Sequence, residues 1–115
     1  MPTIADTHVT VARSFRQRLV GLLGRRALPE REALLLMPCS NIHTAFMAFA
    51  IDAVFLDRDG TIVALHRQLR PWRIAAARGA DACLELSSGS AQRLGLEVGQ
   101  RLPQLARTAL RGVRP

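Results

Sequence analysis

Residues 39–65, CSNIHTAFMAFAIDAVFLDRDGTIVAL, form the stretch that decides the fold of this chain. Within it, two β-rich segments, 53–56 and 61–65, flank the letters DRDG at positions 57–60. Glycine accepts a positive φ, and aspartate side chains accept hydrogen bonds from nearby backbone N–H groups, so these letters are typical of a tight turn. The stretch therefore predicts a β-hairpin.

The residues before this hairpin predict two strands and a helix. Residues 8–12 alternate and are rich in Thr and Val, which favours a strand. Residues 14–24 predict a helix, because Ser14 and Gln17 have the spacing of a capping box and apolar residues recur on one face. Residues 33–37 form a short apolar run that is typical of a buried strand.

Alternation and turn residues predict the remaining elements. Residues 42–49 alternate between two faces, as in a strand. The other expected elements are a loop over 71–81, a strand over 82–86, a short helix over 91–94, a strand at 101–102 and a basic C-terminal tail over 104–115.

The length and charge of the chain limit the possible functions. At 115 residues there is room for one domain with one core. The formal net charge is +7, and all sixteen basic residues are arginines, a balance that can attract nucleic acid or an acidic surface. The arginines are scattered from Arg13 to Arg114, and only Arg25 and Arg26 are adjacent. We therefore expect no nucleic-acid partner.

Neither a membrane span nor a disulfide is predicted. No window approaches the roughly 18 consecutive apolar residues of a transmembrane helix. Residues 1–14 lack the charged-then-apolar pattern of a signal peptide, so a cytoplasmic protein is expected. Cys39 and Cys83 are far apart in the sequence and form no CxxC pair, which is typical of free thiols.

The segment FLDRDGT, residues 55–61, also resembles the first signature of haloacid-dehalogenase-type phosphatases. In such a site Asp57 would attack phosphorus, Asp59 would act as general acid and base, and Mg²⁺ would bridge carboxylate and phosphate. Asp81 and Glu85 would then be candidate metal ligands. Too few residues follow the segment for the doubly wound domain of these enzymes, and the chain has no Lys for the phosphate. These features count against a Mg-dependent phosphatase, which is kept as the alternative function.

Cys39, His43 and Cys83 are the candidates for a metal site or a thiol–imidazole pair. On a strand, the side chains of Cys39 and His43 would lie roughly 13 Å apart, so their spacing is not diagnostic. The acidic turn also fails as a calcium loop, because Gln68 stands where an EF-hand needs its bidentate Glu. No ligand set is complete, and we expect no metal or other cofactor.

The residues of the central stretch carry a more specific resemblance. The segment IHTAFMAFAIDAVF, residues 42–55, closely resembles the I-H-T-x-F-M-x-F-P-I-D-V-x-F segment of the DUF192 family. The resemblance extends upstream to residues 18–23 and downstream to 84–89 and 96–100, and so covers about residues 7–103. The chain departs from the family pattern by Ala48 for a frequent Arg or Lys, Ala50 for the usual Pro, and Gln100 for a frequent Asp.

This resemblance implies a fold but no named reaction, because the family has no established activity. It implies a small single domain, and related proteins are often exported. We expect an α+β domain over residues 1–103, with a mostly antiparallel, barrel-like β core, one main helix and one short helix. The expected function is a non-catalytic binding or accessory module for a small ligand or a protein partner, with a small cleft near residues 43–52.

The polar residues that the resemblance shares with the family inside this apolar stretch are His43, Thr44 and Asp52. Buried polar groups need hydrogen-bond partners, so these residues could form a structural network in the core. They could instead line the cleft and contact the ligand. Asp52, with Ile51 before it and Ala53 after it, should accept backbone N–H bonds or pair with an Arg or with His43. The sequence leaves both interpretations open.

Overall fold

A computed structural model of the chain describes residues 3–14, 27–45 and 47–112. Within them, five strands form a sheet in the order β1-β2-β7-β4-β5, and β3 pairs with β6 in a separate two-stranded sheet. The elements are β1 (His8–Ala12), β2 (Glu32–Leu36), β3 (Asn41–His43), β4 (Ile51–Leu56), β5 (Ile62–Leu69), β6 (Ile74–Ala76), β7 (Ala82–Ser87) and α1 (Ser90–Arg93), with short 3₁₀ helices at Ile4–Asp6 and Pro103–Leu105.

The larger sheet is mixed but mostly antiparallel. β1 and β2 run parallel, while β2–β7, β7–β4 and β4–β5 are antiparallel pairs. β4 lies between β5 and β7, and all six of its residues are buried. A strand that is covered on both faces reads as a nearly continuous apolar run, which explains the letters IDAVFL. Asp52 is the exception within that run, and its partners are described below.

Each face of the sheet packs into its own apolar cluster. On one face, residues such as Val54 and Leu84 pack with Leu105 and Leu110 from the C-terminal segment. On the other face, Phe55 and its neighbours pack with residues of the β3–β6 sheet. Because Leu105 and Leu110 are core residues, part of the segment assigned to a basic tail contributes directly to the packing of the domain.

The structure confirms the central hairpin. β4 and β5 are antiparallel and joined by the DRDG turn. The Asp57 side chain closes that turn, because its Oδ1 accepts hydrogen bonds from the backbone N–H groups of Asp59 (2.9 Å) and Thr61 (3.0 Å). The strands over 8–12 and 82–86 and a short helix that begins at Ser90 are also present.

Four expectations differ from the structure. The strand predicted at 101–102 is only an isolated bridge between Arg101 and Thr61. The strand predicted over 42–49 ends at His43, because Thr44 uses its backbone to hold a neighbouring loop. The predicted loop over 71–81 contains β6, which pairs with β3. The five described strands of the main sheet do not close on themselves, so the domain is α+β and mostly antiparallel but the barrel-like core is not confirmed. The main helix predicted over 14–24 falls largely on residues outside the described part.

No helix in the described part of the chain combines the length and the apolar character that crossing a membrane requires.

Gly60 in the hairpin turn gives a test of this packing. Its φ is 82°, and a Cβ at this position would collide with the carbonyl oxygen of Leu102. Gly79 has a similar φ of 84° with open space around it, so it is a matched control for the backbone strain alone. We expect Gly60→Ala to lower the free energy of unfolding by about 2 kcal/mol more than Gly79→Ala does, as measured by chemical denaturation. Equal losses would contradict the close contact between the turn and residue 102.

Candidate functional site

A cavity of about 520 Å³ opens beside β3. Its wall is formed by the chain from the end of β2 to the end of β3, which includes the segment PCSNIH. The lining residues combine apolar side chains with polar groups, and they include Leu36, Met37, Cys39, Ser40, Asn41 and His43. A concave site of this size and mixed chemistry is typical of small-molecule binding pockets.

Hydrogen bonds hold the wall of this cavity in place. The Cys39 backbone N–H donates to the carbonyl oxygen of Asp81 (2.8 Å), and its Sγ lies 3.1 Å from the carbonyl oxygen of Asn41. β3 then pairs with β6, with His43 opposite Ile74. The imidazole of half-buried His43 therefore belongs to a wall whose backbone is fixed on both sides.

The three candidate metal or thiol residues are not equivalent. Cys39 and His43 line the cavity, whereas Cys83 is fully buried in β7 within the apolar cluster around Phe55. Across the described residues, no group of three or more His, Cys, Asp or Glu side chains is arranged to hold a metal ion.

Thr44 is fully buried and organises the loop that precedes β6. Its hydroxyl donates to the carbonyl oxygen of Arg70 (2.6 Å) and accepts from the backbone N–H of Arg73 (2.8 Å). Its backbone donates to the Arg73 carbonyl oxygen (2.8 Å) and accepts from the N–H of Trp72 (3.1 Å). Both the side chain and the backbone of Thr44 thus bind one short loop segment.

Asp52 is also fully buried, and its carboxylate accepts three backbone hydrogen bonds. Oδ1 accepts from the N–H of Gln68 (2.8 Å) at the end of β5. Oδ2 accepts from the N–H groups of Gly89 (3.1 Å) and Ala91 (2.8 Å) at the start of α1. A carboxylate satisfied in this way joins three elements, because β4 carries it and β5 and α1 supply the donors.

Asp52 and Thr44 act on the two ends of the same connection, residues 68–73. Two non-glycine residues of that connection, Gln68 (φ 54°) and Trp72 (φ 63°), have left-handed backbone conformations. Such conformations cost roughly 1 kcal/mol or more each and persist only where surrounding contacts impose them. Here the backbone N–H of each strained residue is bound, by the Asp52 carboxylate and by the Thr44 carbonyl oxygen. The connection in turn leads into β6, which pairs with the cavity wall.

The three residues predicted from the sequence, His43, Thr44 and Asp52, do not lie in one site. His43 lines the cavity, while the described lining includes neither Thr44 nor Asp52. Asp52 accepts backbone N–H bonds, which is one of the two arrangements expected for it. Asp52 and Thr44 instead bind the connection at residues 68–73, and so position the loop behind β3.

A second cavity, of about 610 Å³, was not predicted. It is lined by four arginines, and it shares Arg13 and Met37 with the cavity beside β3. The described residues around it are Arg13, Met37, Arg58, Arg107, Thr108, Leu110, Arg111 and Gly112. The spacing of Arg107 and Arg111, four residues apart, was a possible signal in the sequence. No local sequence pattern indicated that the side chains of Arg13 and Arg58 would lie beside these two arginines in the folded chain.

An ion pair connects the two cavities. Arg107 binds Asp81 through two hydrogen bonds, from Nε to Oδ2 (2.9 Å) and from Nη2 to Oδ1 (2.6 Å). The hydrogen bond and the negative charge of Asp81 raise the pKa of Arg107. Asp81 lines the first cavity and Arg107 the second.

The residues of the alternative phosphatase site have other roles. Asp57 closes the hairpin turn, Asp81 pairs with Arg107, and Glu85 is fully buried in β7. β4, which precedes the DRDG turn, continues directly into the antiparallel strand β5. The described residues therefore give no support to a phosphatase.

Comparison with known proteins identifies relatives over most of the chain. The family model DUF192, described as an uncharacterized family, matches residues 2–104. A UPF0127 protein of Pyrococcus furiosus is 33% identical over 100 residues, 82% of this chain and 84% of that protein. A UPF0127 protein of Pyrococcus abyssi is 32% identical over 100 residues, 82% of this chain and 83% of that protein.

Two solved structures are similar in fold. A proposed transcription regulator from Sinorhizobium meliloti 1021 is 28% identical, with a TM-score of 0.72 over 81% of this chain and 78% of that one. A protein of unknown function from Novosphingobium aromaticivorans DSM 12444 also has a TM-score of 0.72, over 83% of this chain and 73% of that one. At 22% identity, the second similarity shows the fold alone.

Asp52 should contribute strongly to stability. Asp52→Ala leaves three backbone donors, one buried and two part-buried, without their acceptor, and we expect it to lower the free energy of unfolding by about 3 kcal/mol in chemical denaturation. Asp59→Ala is the control, because Asp59 is an exposed carboxylate in the hairpin turn, and we expect a change within about 0.5 kcal/mol. A denaturation curve of Asp52→Ala that matches the parent would contradict the positioning role.

The hydroxyl of Thr44 should fix the loop that carries Trp72. Thr44→Val keeps the branched shape but removes the partner of the Arg73 N–H, and we expect a loss of about 1–2 kcal/mol in the free energy of unfolding. Trp72 is the single tryptophan of the chain, so its fluorescence should change in the same variant. Thr44→Ser keeps the hydroxyl and should retain the parent emission. Equal emission changes in the two variants would show that the hydroxyl does not hold the loop.

Proposed function

The chain belongs to the DUF192 family of uncharacterized proteins, and we propose that it is a non-catalytic binding module whose ligand occupies the cavity beside β3. The observation that carries this proposal is the cavity itself, which is about 520 Å³ in volume and is bordered by Ile42 and His43, the first two residues of the segment that resembles the family most closely. Its size lies within the range of small-molecule sites.

The chemistry of the wall supports a ligand of mixed polarity. Leu36, Met37 and Ile42 supply apolar surface, which favours the body of a small molecule. Ser40, Asn41 and His43 add hydroxyl, amide and imidazole groups that can orient it by hydrogen bonds. In this proposal His43 is a contact residue.

Thr44 and Asp52 are positioning residues in the same proposal. They hold residues 68–73, from which β6 continues to pair with β3. A fixed β6 keeps the cavity wall in one conformation before the ligand arrives, and such preorganisation lowers the entropic cost of binding. The buried polar residues shared with the family therefore serve binding without touching the ligand.

Nucleic-acid binding is the competing candidate. It is favoured by the net charge of +7 and by the description of the Sinorhizobium meliloti protein as a proposed transcription regulator. A concave site supports a small ligand better, because duplex DNA needs a convex or extended basic surface to follow its backbone.

The proposal is tested by fragment screening with ¹⁵N-labelled protein. We expect ligands from a mixed-polarity fragment library to shift the amide signals of residues 39–43 and of Asp81 together. Ser40→Trp should fill the cavity and remove these shifts. Ser88→Trp makes the same change at an exposed site after β7, outside the described cavity lining, and should retain them.

Shifts spread over the whole surface, or shifts that persist in Ser40→Trp, would contradict a ligand site in this cavity. A titration with duplex DNA under the same conditions tests nucleic-acid binding separately. Salt-dependent shifts at exposed arginines, with none in residues 39–43, would favour nucleic-acid binding instead.

A further inference from the structure

We propose that the arginine-lined cavity binds the phosphate group of a small molecule whose body extends into the cavity beside β3. This inference rests on the proposed function, since it adds a phosphate group to the ligand of the cavity beside β3. The observations that carry it are the convergence of four arginines on one concave surface and the two lining residues, Arg13 and Met37, that this surface shares with the first cavity.

The charge of the cavity is strongly one-sided. Arg13, Arg58, Arg107 and Arg111 line it, and the lining residues in the described part of the chain include no carboxylate. Asp81, which lines the neighbouring cavity, pairs with Arg107 at 2.6 Å. All the charged side chains of the described lining are thus guanidinium groups, and an anion in the cavity would be attracted to each of them.

The arginines are carried by backbone that is held in place. The N–H of Arg107 donates to the carbonyl oxygen of Arg58 (2.9 Å), which fixes the C-terminal segment against the DRDG turn. Leu105 and Leu110 on either side of Arg107 are buried in the core. The guanidinium of Arg13 also reaches the carbonyl oxygen of Leu110, at 3.4 Å. The cavity is therefore assembled before a ligand binds.

Without a bound anion, repulsion between neighbouring arginines of this cavity is destabilising. Arg107 and Arg111 are four residues apart in a segment of consecutive turns, where side chains at that spacing lie near each other. Like charges at this spacing repel and destabilise the segment. A bound anion converts the repulsion into shared attraction, which is the arrangement that proteins use to bind phosphate.

Phosphate fits this surface better than carboxylate. A phosphate monoester presents three oxygens and nearly two negative charges, so several guanidinium groups can bind it from different directions, together with the hydroxyl of Thr108. A single carboxylate is satisfied by one bidentate arginine, as Asp81 is by Arg107.

The residues shared by the two cavities indicate where the apolar part of the ligand would lie. Met37 and Arg13 belong to both cavities, so a molecule with its phosphate among the arginines can extend across Met37 toward His43. A flexible thioether side chain adapts to ligands of different shape. The combined site thus fits a small phosphate ester with a partly apolar body.

Anion binding is measured by thermal unfolding and titration calorimetry at constant ionic strength. The probes are inorganic phosphate, pyrophosphate and methylphosphonate, with acetate and chloride as controls. We expect the phosphate-type probes to bind saturably and to raise the melting temperature, and acetate and chloride to have no such effect. An equal effect of chloride or acetate would overturn the proposal, because it would reflect general screening of charge.

Variants locate the binding to the cavity. Arg58→Gln and Arg111→Gln should each weaken methylphosphonate binding about tenfold, the effect of losing one charge-assisted hydrogen bond. Arg31→Gln is the matched control, because Arg31 is an exposed arginine before β2 and lies at the far end of that strand from Met37. Equal weakening in Arg31→Gln and Arg58→Gln would overturn the proposal.

A comparison of two ligands tests this inference separately from the proposed function. Phenylphosphonate adds an apolar ring to the group that methylphosphonate presents, and we expect it to bind about tenfold more tightly. Ser40→Trp should remove that advantage and leave methylphosphonate binding unchanged. If methylphosphonate binds through the arginines but the ring adds nothing, the inference about the anion holds and the cavity beside β3 is not part of the site. If neither phosphonate binds, the inference fails.

Discussion

The fold depends on one buried carboxylate in the central strand of the sheet. Asp52 lies in β4, where every other residue is apolar and every residue is buried. A lone carboxylate in such a place would be strongly destabilising. Its three backbone hydrogen bonds offset that cost, and they join β4 to the end of β5 and the start of α1. The residue therefore determines how the elements at this end of the sheet meet.

The candidate site follows from this constraint in a short series of contacts. Asp52 binds the N–H of Gln68, and Thr44 binds the other end of the same connection at residues 70–73. Both ends contain a non-glycine residue in a left-handed conformation, so the connection requires these contacts. The fixed connection leads into β6, and β6 supports the strand that carries His43. Two polar residues that lie outside the cavity lining thereby shape its wall.

Much of the fold could be predicted from the sequence, because its signals are local. The DRDG letters are typical of a turn, and the β-rich segment 53–56 predicted most of β4. A hydrogen-bonded carboxylate in the core was one of the two interpretations that the sequence left open for Asp52. The end of β3 at His43 could not be predicted, because alternation continues past Thr44 while tertiary hydrogen bonds to residues 70–73 terminate the strand. A barrel was expected, but whether a sheet closes depends on long-range strand order. The arginine cavity was missed for the same reason, since Arg13, Arg58 and Arg107 come together only in the folded chain.

Native-state amide hydrogen exchange tests the central claim most directly, because it reads the donors to Asp52 and Thr44 one by one. The N–H groups of Gln68, Arg73, Gly89 and Ala91 lie at strand ends, in a loop or at the start of a one-turn helix, where exchange is ordinarily fast. We expect all four to exchange as slowly as amides in the middle of β4, because they open only when the domain unfolds. Fast exchange at these four amides, with slow exchange retained in β4, would contradict the claim that the two buried side chains hold this part of the structure.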